Sequence, residues 1–262
     1  MILNLKTLKD FRNEFYKKFH DGGKMIKIEN LRKTFATKIA VNDLTLDVPS
    51  GVVYGFLGPN GAGKTTTIKM IVGMLRQDGG KIEIDGIDTL TDPLESKKKF
   101  AYVPDNPDIY ETMTARQYLN FMADVFSLSL EKRNENIKKY AEIFEMTENL
   151  DATISALSHG MKQKIVLIGA LIHEPRLLIL DEPMVGLDAK SSFRLKNIMR
   201  EVADGGGTVF FSTHVMEVAE KMCDEIAIIN KGKLIAEGSL EDIKAGGKDS
   251  GSLEKIFLDL TE

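Results

Sequence analysis

GPNGAGKT, Gly58–Thr65, is the stretch on which the reading of this chain turns. It matches the G-x-x-x-x-G-K-[ST] pattern in full and directly follows VVYGFL, a short apolar run at Val52–Leu57. Strand, glycine-rich loop and helix in that order suit a phosphate. Glycines let the backbone fold closely around the anion, its N–H groups point inward, and the following helix offers its positive N-terminal end. Lys64 would reach the terminal phosphates and Thr65 would ligate a magnesium ion through its hydroxyl. The candidate nucleotide-binding residues of this segment are Gly58, Pro59, Asn60, Gly61, Ala62, Gly63, Lys64, Thr65 and Thr66.

Such a site needs an acidic residue at the end of a neighbouring strand, and LLILDEP at Leu177–Pro183 supplies two. Asp181 is placed to hold the magnesium, and Glu182 to orient or deprotonate an attacking water, a role worth roughly 10²- to 10⁴-fold in rate. Upstream, LSHGMKQK at Leu157–Lys164 sets Ser158 beside His159, one of only four histidines. A nucleophile with its base is one reading, because that chemistry needs a hydroxyl within hydrogen-bond reach of the base. Adjacency in sequence is poor evidence for that geometry, and a segment built to hold a ligand is the other reading.

Outward from these motifs, strand-like runs recur at Val52–Leu57, Lys81–Asp85, Ala101–Val103, Leu177–Leu180, Val209–Ser212, Glu225–Asn230 and Lys233–Glu237. Alternation with helical patterns predicts an α/β fold whose parallel sheet is covered on both faces. NKGK, Asn230–Lys233, reads as a hairpin turn. From Thr114, a plausible N-cap, to Leu157 the pattern is helical alone, an insertion in the α/β core. At the N-terminus Leu5, Leu8, Phe11, Phe15, Tyr16 and Phe19 fall on one side of a helical wheel and Lys6, Lys9, Arg12 and Lys17 largely on the other. Residues 1–24 therefore read as a basic amphipathic helix, with a surface-lying or domain-packed role and an extension without function all open.

Composition narrows the function classes. The 262 residues are 43% hydrophobic and 28% charged, as in an ordinary globular protein. A net charge of -4 argues against nucleic acid as the principal partner. The lone Cys223 allows no intrachain disulfide, and the longest apolar run, Ile165–Ile172, is far too short to span a bilayer. MILNLKTLKD lacks the unbroken apolar core of a secretory signal.

With GPNGAGKT, LSHGMKQK, LLILDEP, GLD at Gly186–Asp188 and His214 in that order, the chain resembles the nucleotide-binding domain of ATP-binding cassette (ABC) transporters over about residues 25–240. The resemblance implies a P-loop NTPase (RecA-like) core with a mostly parallel sheet, an antiparallel β subdomain and a helical subdomain inserted at about 112–160, followed by a short extension at 241–262. It implies an ATPase using ATP and Mg2+. Two such domains, this chain with a second copy or a paralogous ATPase, would face each other head to tail. Ser158, Gly160 and Met161 of one would then meet the ATP held by the other, with Ser158 capping the helix that follows. By the same likeness Phe35 stands where an aromatic ring lies against adenine, Asp188 where an acidic residue contacts the partner subunit, and His214 where a histidine senses the γ-phosphate.

Three positions depart from the family pattern. Asp105 in YVPDNP stands where a glutamine commonly reaches both magnesium and the coupling surface; the aspartate is shorter and charged. His159 replaces a frequent glycine and Met161 a frequent glutamine. The S-x-G-M form, YVPD and the ending SLEKIFLDLTE resemble ATPases that pair with a separate integral membrane permease of the ABC-2 type, which implies an exporter subunit lying in the cytoplasm on the inner face of the cell membrane. A non-transport ABC ATPase and a nucleotide-dependent regulator are the alternatives.

Overall fold

The computed structural model describes residues 23–246 and 253–261; the amphipathic helix expected within residues 1–24 lies outside them, apart from the residues at its end. Strands β1 (Lys24–Phe35) and β2 (Lys38–Pro49) form a long antiparallel hairpin. Ile26, Ile28, Val41, Leu44, Leu46 and Val48 face inward while Lys27, Glu29 and Asp47 alternate outward. β2 is absent from the strand-like runs of the sequence because its alternation is broken at Asn42–Asp43. Asp43 takes a left-handed φ of 59°, and the pairing with β1 shifts register between Ile28 and Leu31.

β3 (Val53–Leu57) is buried along its whole length and leads through the glycine-rich loop into α1 (Lys64–Ile71). β4 (Gly79–Ile84) and the two-residue β5 (Ile87–Asp88) return to the hairpin, giving an antiparallel sheet in the order β2-β1-β4-β5. The short helix α2 (Pro93–Lys97) precedes β6 (Phe100–Val103). Two helices follow, α3 (Ala115–Val125) and α4 (Leu130–Ile143), then α5 (His159–Leu171). α3 starts at a capping box in which Thr114 and Gln117 bond reciprocally, as the polar-then-apolar pattern at Thr114 predicts. β7 (Leu177–Asp181), α6 (Ala189–Asp204), β8 (Thr208–Thr213), α7 (Met216–Met222), β9 (Glu225–Asn230), β10 (Lys233–Ser239), α8 (Leu240–Gly246) and α9 (Leu253–Thr261) complete the chain.

The second sheet has the order β10-β9-β3-β8-β7-β6, with every pairing parallel except β9 with β10. Its period-2 alternation divides the core. Tyr54, Phe56, Leu177, Ile179 and Phe210 pack with the antiparallel sheet and α1, and the Phe210 ring lies 5.8 Å from Tyr54 and 5.5 Å from Phe56. Val53, Leu178, Leu180, Val209 and Phe211 face α3, α4, α5 and α6. Burial on both faces is why these strands read as unbroken apolar runs. The β9–β10 turn is a two-residue loop with Lys231 at φ 49° and Gly232 at φ 78°, the left-handed pair that a tight hairpin requires. Its Gly232 donates to the Ala62 carbonyl (2.8 Å) and accepts from Asn42 N–H (2.8 Å), wedging the turn between β2 and the phosphate loop.

His173, just beyond α5, stacks on Phe126 at the end of α3, with ring centroids 3.5 Å apart and planes 5° off parallel. Burial lowers its pKa to about 4, and both ring nitrogens are buried without a hydrogen-bond partner. The unfolded chain, with histidine near 6.5, binds more protons between those values, so stability falls as pH drops through that window. His173 accounts for about 2 kcal/mol of the stability lost from pH 7 to pH 5. Urea unfolding of His173→Gln across that range will show a correspondingly flatter slope.

Candidate nucleotide-binding and hydrolysis site

The loop between β3 and α1 is shaped by what surrounds it. A Cβ on Gly58 would lie 2.4 Å from the Ile229 carbonyl oxygen, and one on Gly63, at φ 113°, would lie 2.6 Å from that of Ala40. Ala62 is fixed on both sides, its N–H donating to Pro59 O (3.1 Å) and its carbonyl accepting from Gly232. Gly63 caps α1 without a side-chain acceptor, and no acidic residue of the helix itself stands in its first turn to offset its positive end. Lys64 is buried and donates to the carbonyls of Gly58 (2.8 Å) and Pro59 (3.3 Å). Thr65 and Thr66 are half-buried at the helix start, and Asn60 and Gly61 lie exposed at the loop tip.

The ends of the neighbouring parallel strands complete the centre. Asp181, at the end of β7, is fully buried; its Oδ1 accepts from Ser212 Oγ at 2.5 Å. Its Oδ2 is buried with no hydrogen-bond partner. Desolvation raises the pKa of this carboxyl, and the Ser212 and Thr65 hydroxyls oppose the shift. A buried, half-satisfied carboxylate beside a threonine hydroxyl is costly by itself and fits a hard divalent cation such as Mg2+. Glu182 follows in a left-handed conformation (φ 47°), its N–H donating to Ser212 Oγ at 3.0 Å. Its Oε1 lies 3.0 Å from His214 Nδ1 and 3.4 Å from Lys64 Nζ. Lys64, Asp181, Glu182 and His214 are thus brought into one chain of contacts.

Ser212 was not among the candidate residues, yet its hydroxyl donates to the Asp181 carboxylate and accepts from the Glu182 backbone N–H. The available signal was a hydroxyl inside the apolar run FFSTH, and its use depends on the β7–β8 register that sets Ser212 opposite Asp181. Asp105, in the loop after β6, is exposed and near enough for its charge to raise the Asp181 pKa. Phe35 lies at the end of the β1–β2 hairpin, 47% exposed, with Lys33 Nζ 5.5 Å from its ring centroid.

LSHGM forms a second group. Ser158 is the N-cap of α5, its Oγ accepting from Met161 N–H at 3.3 Å. His159 is exposed, and among the described residues no hydrogen bond joins it to Ser158, so the nucleophile–base reading has no geometry behind it. A Cβ on Gly160 would meet the Gly186 carbonyl oxygen at 2.6 Å, which explains the glycine by an approach within the same chain. Asp188 caps α6 through Ser191 N–H (2.8 Å) and receives Lys164 Nζ at 2.8 Å. Lys164, then the Ser191 bonds, hold its carboxyl well below the usual carboxylate range. Met161 is half-buried against the helical side of the core. Among the described residues no hydrogen bond or ion pair links this group to Lys64, Asp181, Glu182 or His214.

A strand, phosphate loop and helix with an acidic pair at the end of a parallel strand of the same sheet, β8 lying between the two, define a P-loop nucleoside triphosphatase. The family model "ABC transporter" matches residues 41–185, more than half of the chain, and the chain belongs to that family as an ATP-binding subunit that hydrolyses ATP with Mg2+. It is similar to the linearmycin resistance ATP-binding protein LnrL of Bacillus subtilis (strain 168), 36% identical over 222 residues covering 84% of this chain and 70% of that protein. It is 32% identical over 240 residues to the ABC-type transporter ATP-binding protein EcsA of the same organism, covering 91% and 97% of the two chains. Nod factor export ATP-binding protein I of Burkholderia lata is 35% identical over 214 residues, 82% of this chain and 70% of that protein. A solved ATP-binding subunit of an ABC transporter superimposes with a TM-score of 0.87 at 32% identity, covering 91% of this chain and 100% of that one.

Removing the Ser212 hydroxyl strips a partner from Asp181 Oδ1 and from Glu182 N–H. Ser212→Ala will lose about 1–3 kcal/mol of stability and lower kcat, read by thermal unfolding and by phosphate release. Gly160→Ala must push the start of α5 off Gly186, at about 1–3 kcal/mol, which thermal unfolding will report as a lower Tm.

Proposed function

We propose that this chain is the ATPase of an exporter, working as a head-to-tail dimer with a separate membrane permease of the ABC-2 type at the inner face of the membrane. The contact of Glu182 Oε1 with both His214 and Lys64, beside the half-satisfied Asp181, carries the ATPase part of this reading, because it concentrates the groups for binding and for water activation at one strand edge. The relatives named for linearmycin resistance and Nod factor export support export over other uses of the fold. No helix among the described residues is long and apolar enough to cross a membrane.

In this reading Lys64 turns from the Gly58 and Pro59 carbonyls to the β- and γ-phosphates, and the N–H groups at the start of α1 take the remaining phosphate oxygens. Asp181 and Thr65 hold Mg2+, with Asp105 as an outer carboxylate. The ion, when bound, neutralises charge developing on the phosphate oxygens. Glu182 accepts a hydrogen bond, and then the proton, from the attacking water. His214 holds Glu182 through Nδ1 and turns its other ring nitrogen to the γ-phosphate. Phe35 covers the adenine. Ser158, Gly160 and Met161 of the second chain close the site, and Asp188 lies at the same interface.

Glu182→Gln keeps the shape and removes the base. It will retain ATP binding while kcat falls about 10²- to 10⁴-fold, measured by phosphate release and by binding of a fluorescent ATP analogue. Turnover at the normal rate would remove Glu182 from the role. Co-purification from membranes will bring down a multispanning permease; recovery of the ATPase without one would count against the transporter assignment.

A further inference from the structure

Lys164 lies in α5 beyond its first turn with a largely buried side chain, 14% exposed, and its Nζ sits 2.8 Å from Asp188 Oδ2. Asp188 is at the same time the N-cap of α6, held by Ser191 N–H and Ser191 Oγ, both at 2.8 Å. Two more contacts join the same pieces of chain. Gly160 approaches the Gly186 carbonyl with no room for a Cβ, and a Cβ on Gly186 would lie 3.0 Å from the His159 ring. The start of α5 and the turn before α6 therefore meet at three points.

That turn is short and tightly hydrogen-bonded. Val185 N–H donates to the Glu182 carbonyl (3.1 Å) and Leu187 N–H to that of Met184 (3.4 Å), so two overlapping hydrogen-bonded turns lead from Glu182 to the residue before Asp188. One end of the connection is the base of the chain's own site. The other is the LSHGM segment, which caps its helix through Ser158 and makes no direct bond to that base. Among the three contacts only Lys164–Asp188 is charged, and it is shielded from solvent on the lysine side, where screening is weakest.

We propose that Lys164 is a positioning residue that fastens LSHGM to the turn following Glu182, so that Ser158–Met161 is offered to a second chain in a pose set by the state of the first chain's own site. This rests on the head-to-tail reading above. Each chain then contributes Glu182 to one ATP and Ser158 to the other, and the Lys164–Asp188 pair is the charged tie between the two within one polypeptide.

The test uses the full chain in the Glu182→Gln background, with Lys164→Met or Lys164→Arg added. ATP- and Mg2+-driven dimerisation is followed by sedimentation, and binding of a fluorescent ATP analogue is measured at concentrations where the protein is monomeric. Lys164→Met keeps the aliphatic stem but not the charge. It is expected to weaken the ATP-bound dimer at least about fivefold, the lower end of ordinary coupling between sites, with monomer nucleotide affinity unchanged and Lys164→Arg restoring most of the loss. A dimer as tight as the parent's, or a parallel loss of nucleotide affinity in the monomer, overturns the proposal. If the parent itself forms no dimer with ATP, the head-to-tail reading fails and the proposal with it. A merely structural lysine would lower Tm without separating the two affinities.

Discussion

Leu57 pairs with Thr213 and Asp181 with Ser212 across three parallel strands, so β3, β8 and β7 end side by side at one edge of the sheet. All other features of the site depend on that register. The apolar residues beneath, Tyr54, Phe56, Leu178, Leu180, Phe210 and Phe211, are buried on both faces and lock it, since a slip of one residue would turn every side chain to the wrong layer. Above them the chain must leave the sheet, and it does so as a phosphate loop, an acidic pair and a histidine. In open parallel sheets ligands bind in the crevice outside the carboxyl ends of the strands, which is where these groups lie.

That arrangement puts charges where they are expensive. Lys64 and Asp181 are both buried, and the carboxylate keeps one oxygen without a partner. Such groups persist because the frame over-determines them: carbonyls of Gly58 and Pro59 hold the lysine, the Ser212 hydroxyl ties the Asp181 carboxylate to the Glu182 backbone, and the β9–β10 turn braces the loop from below. The left-handed Glu182 is part of the same design. Its backbone strain, of order 1–3 kcal/mol, turns the carboxylate toward Lys64 and His214. Stability given up there is the ordinary accompaniment of a site poised for a doubly charged cation and a polyphosphate.

Much of this was legible in the sequence. Apolar runs bounded by GPNGAGKT and DEP reveal the buried strands and what stands at their ends, and Thr114 marks the start of the inserted helices through a capping pattern that acts locally. β2 was not legible, because Asn42 and the left-handed Asp43 interrupt its alternation and only pairing with β1 restores it. Ser212 and Lys164 were not legible either. A serine in an apolar run and a lysine on a helix carry no message until a partner distant in sequence is set opposite them. Gly160 resembles a residue that meets a second chain's ATP, while the close approach within the chain is that of the Gly186 carbonyl.

The sequence by itself determined the chemistry on offer: a glycine-rich anion loop, a lysine, two acids, a histidine and a capped helix, in an order that resembles one family. Those signals are short-range, carried by backbone freedom, capping and period-2 burial, and so survive in a linear string. Only the tertiary structure decided which of them meet. It joined Lys64, Glu182 and His214 at one strand edge, set LSHGM against Gly186–Asp188 instead, and left Ser158 engaged as a cap with no base beside it. Distances between residues far apart in the chain are set by sheet register and helix packing, which are properties of the whole core and of no single segment.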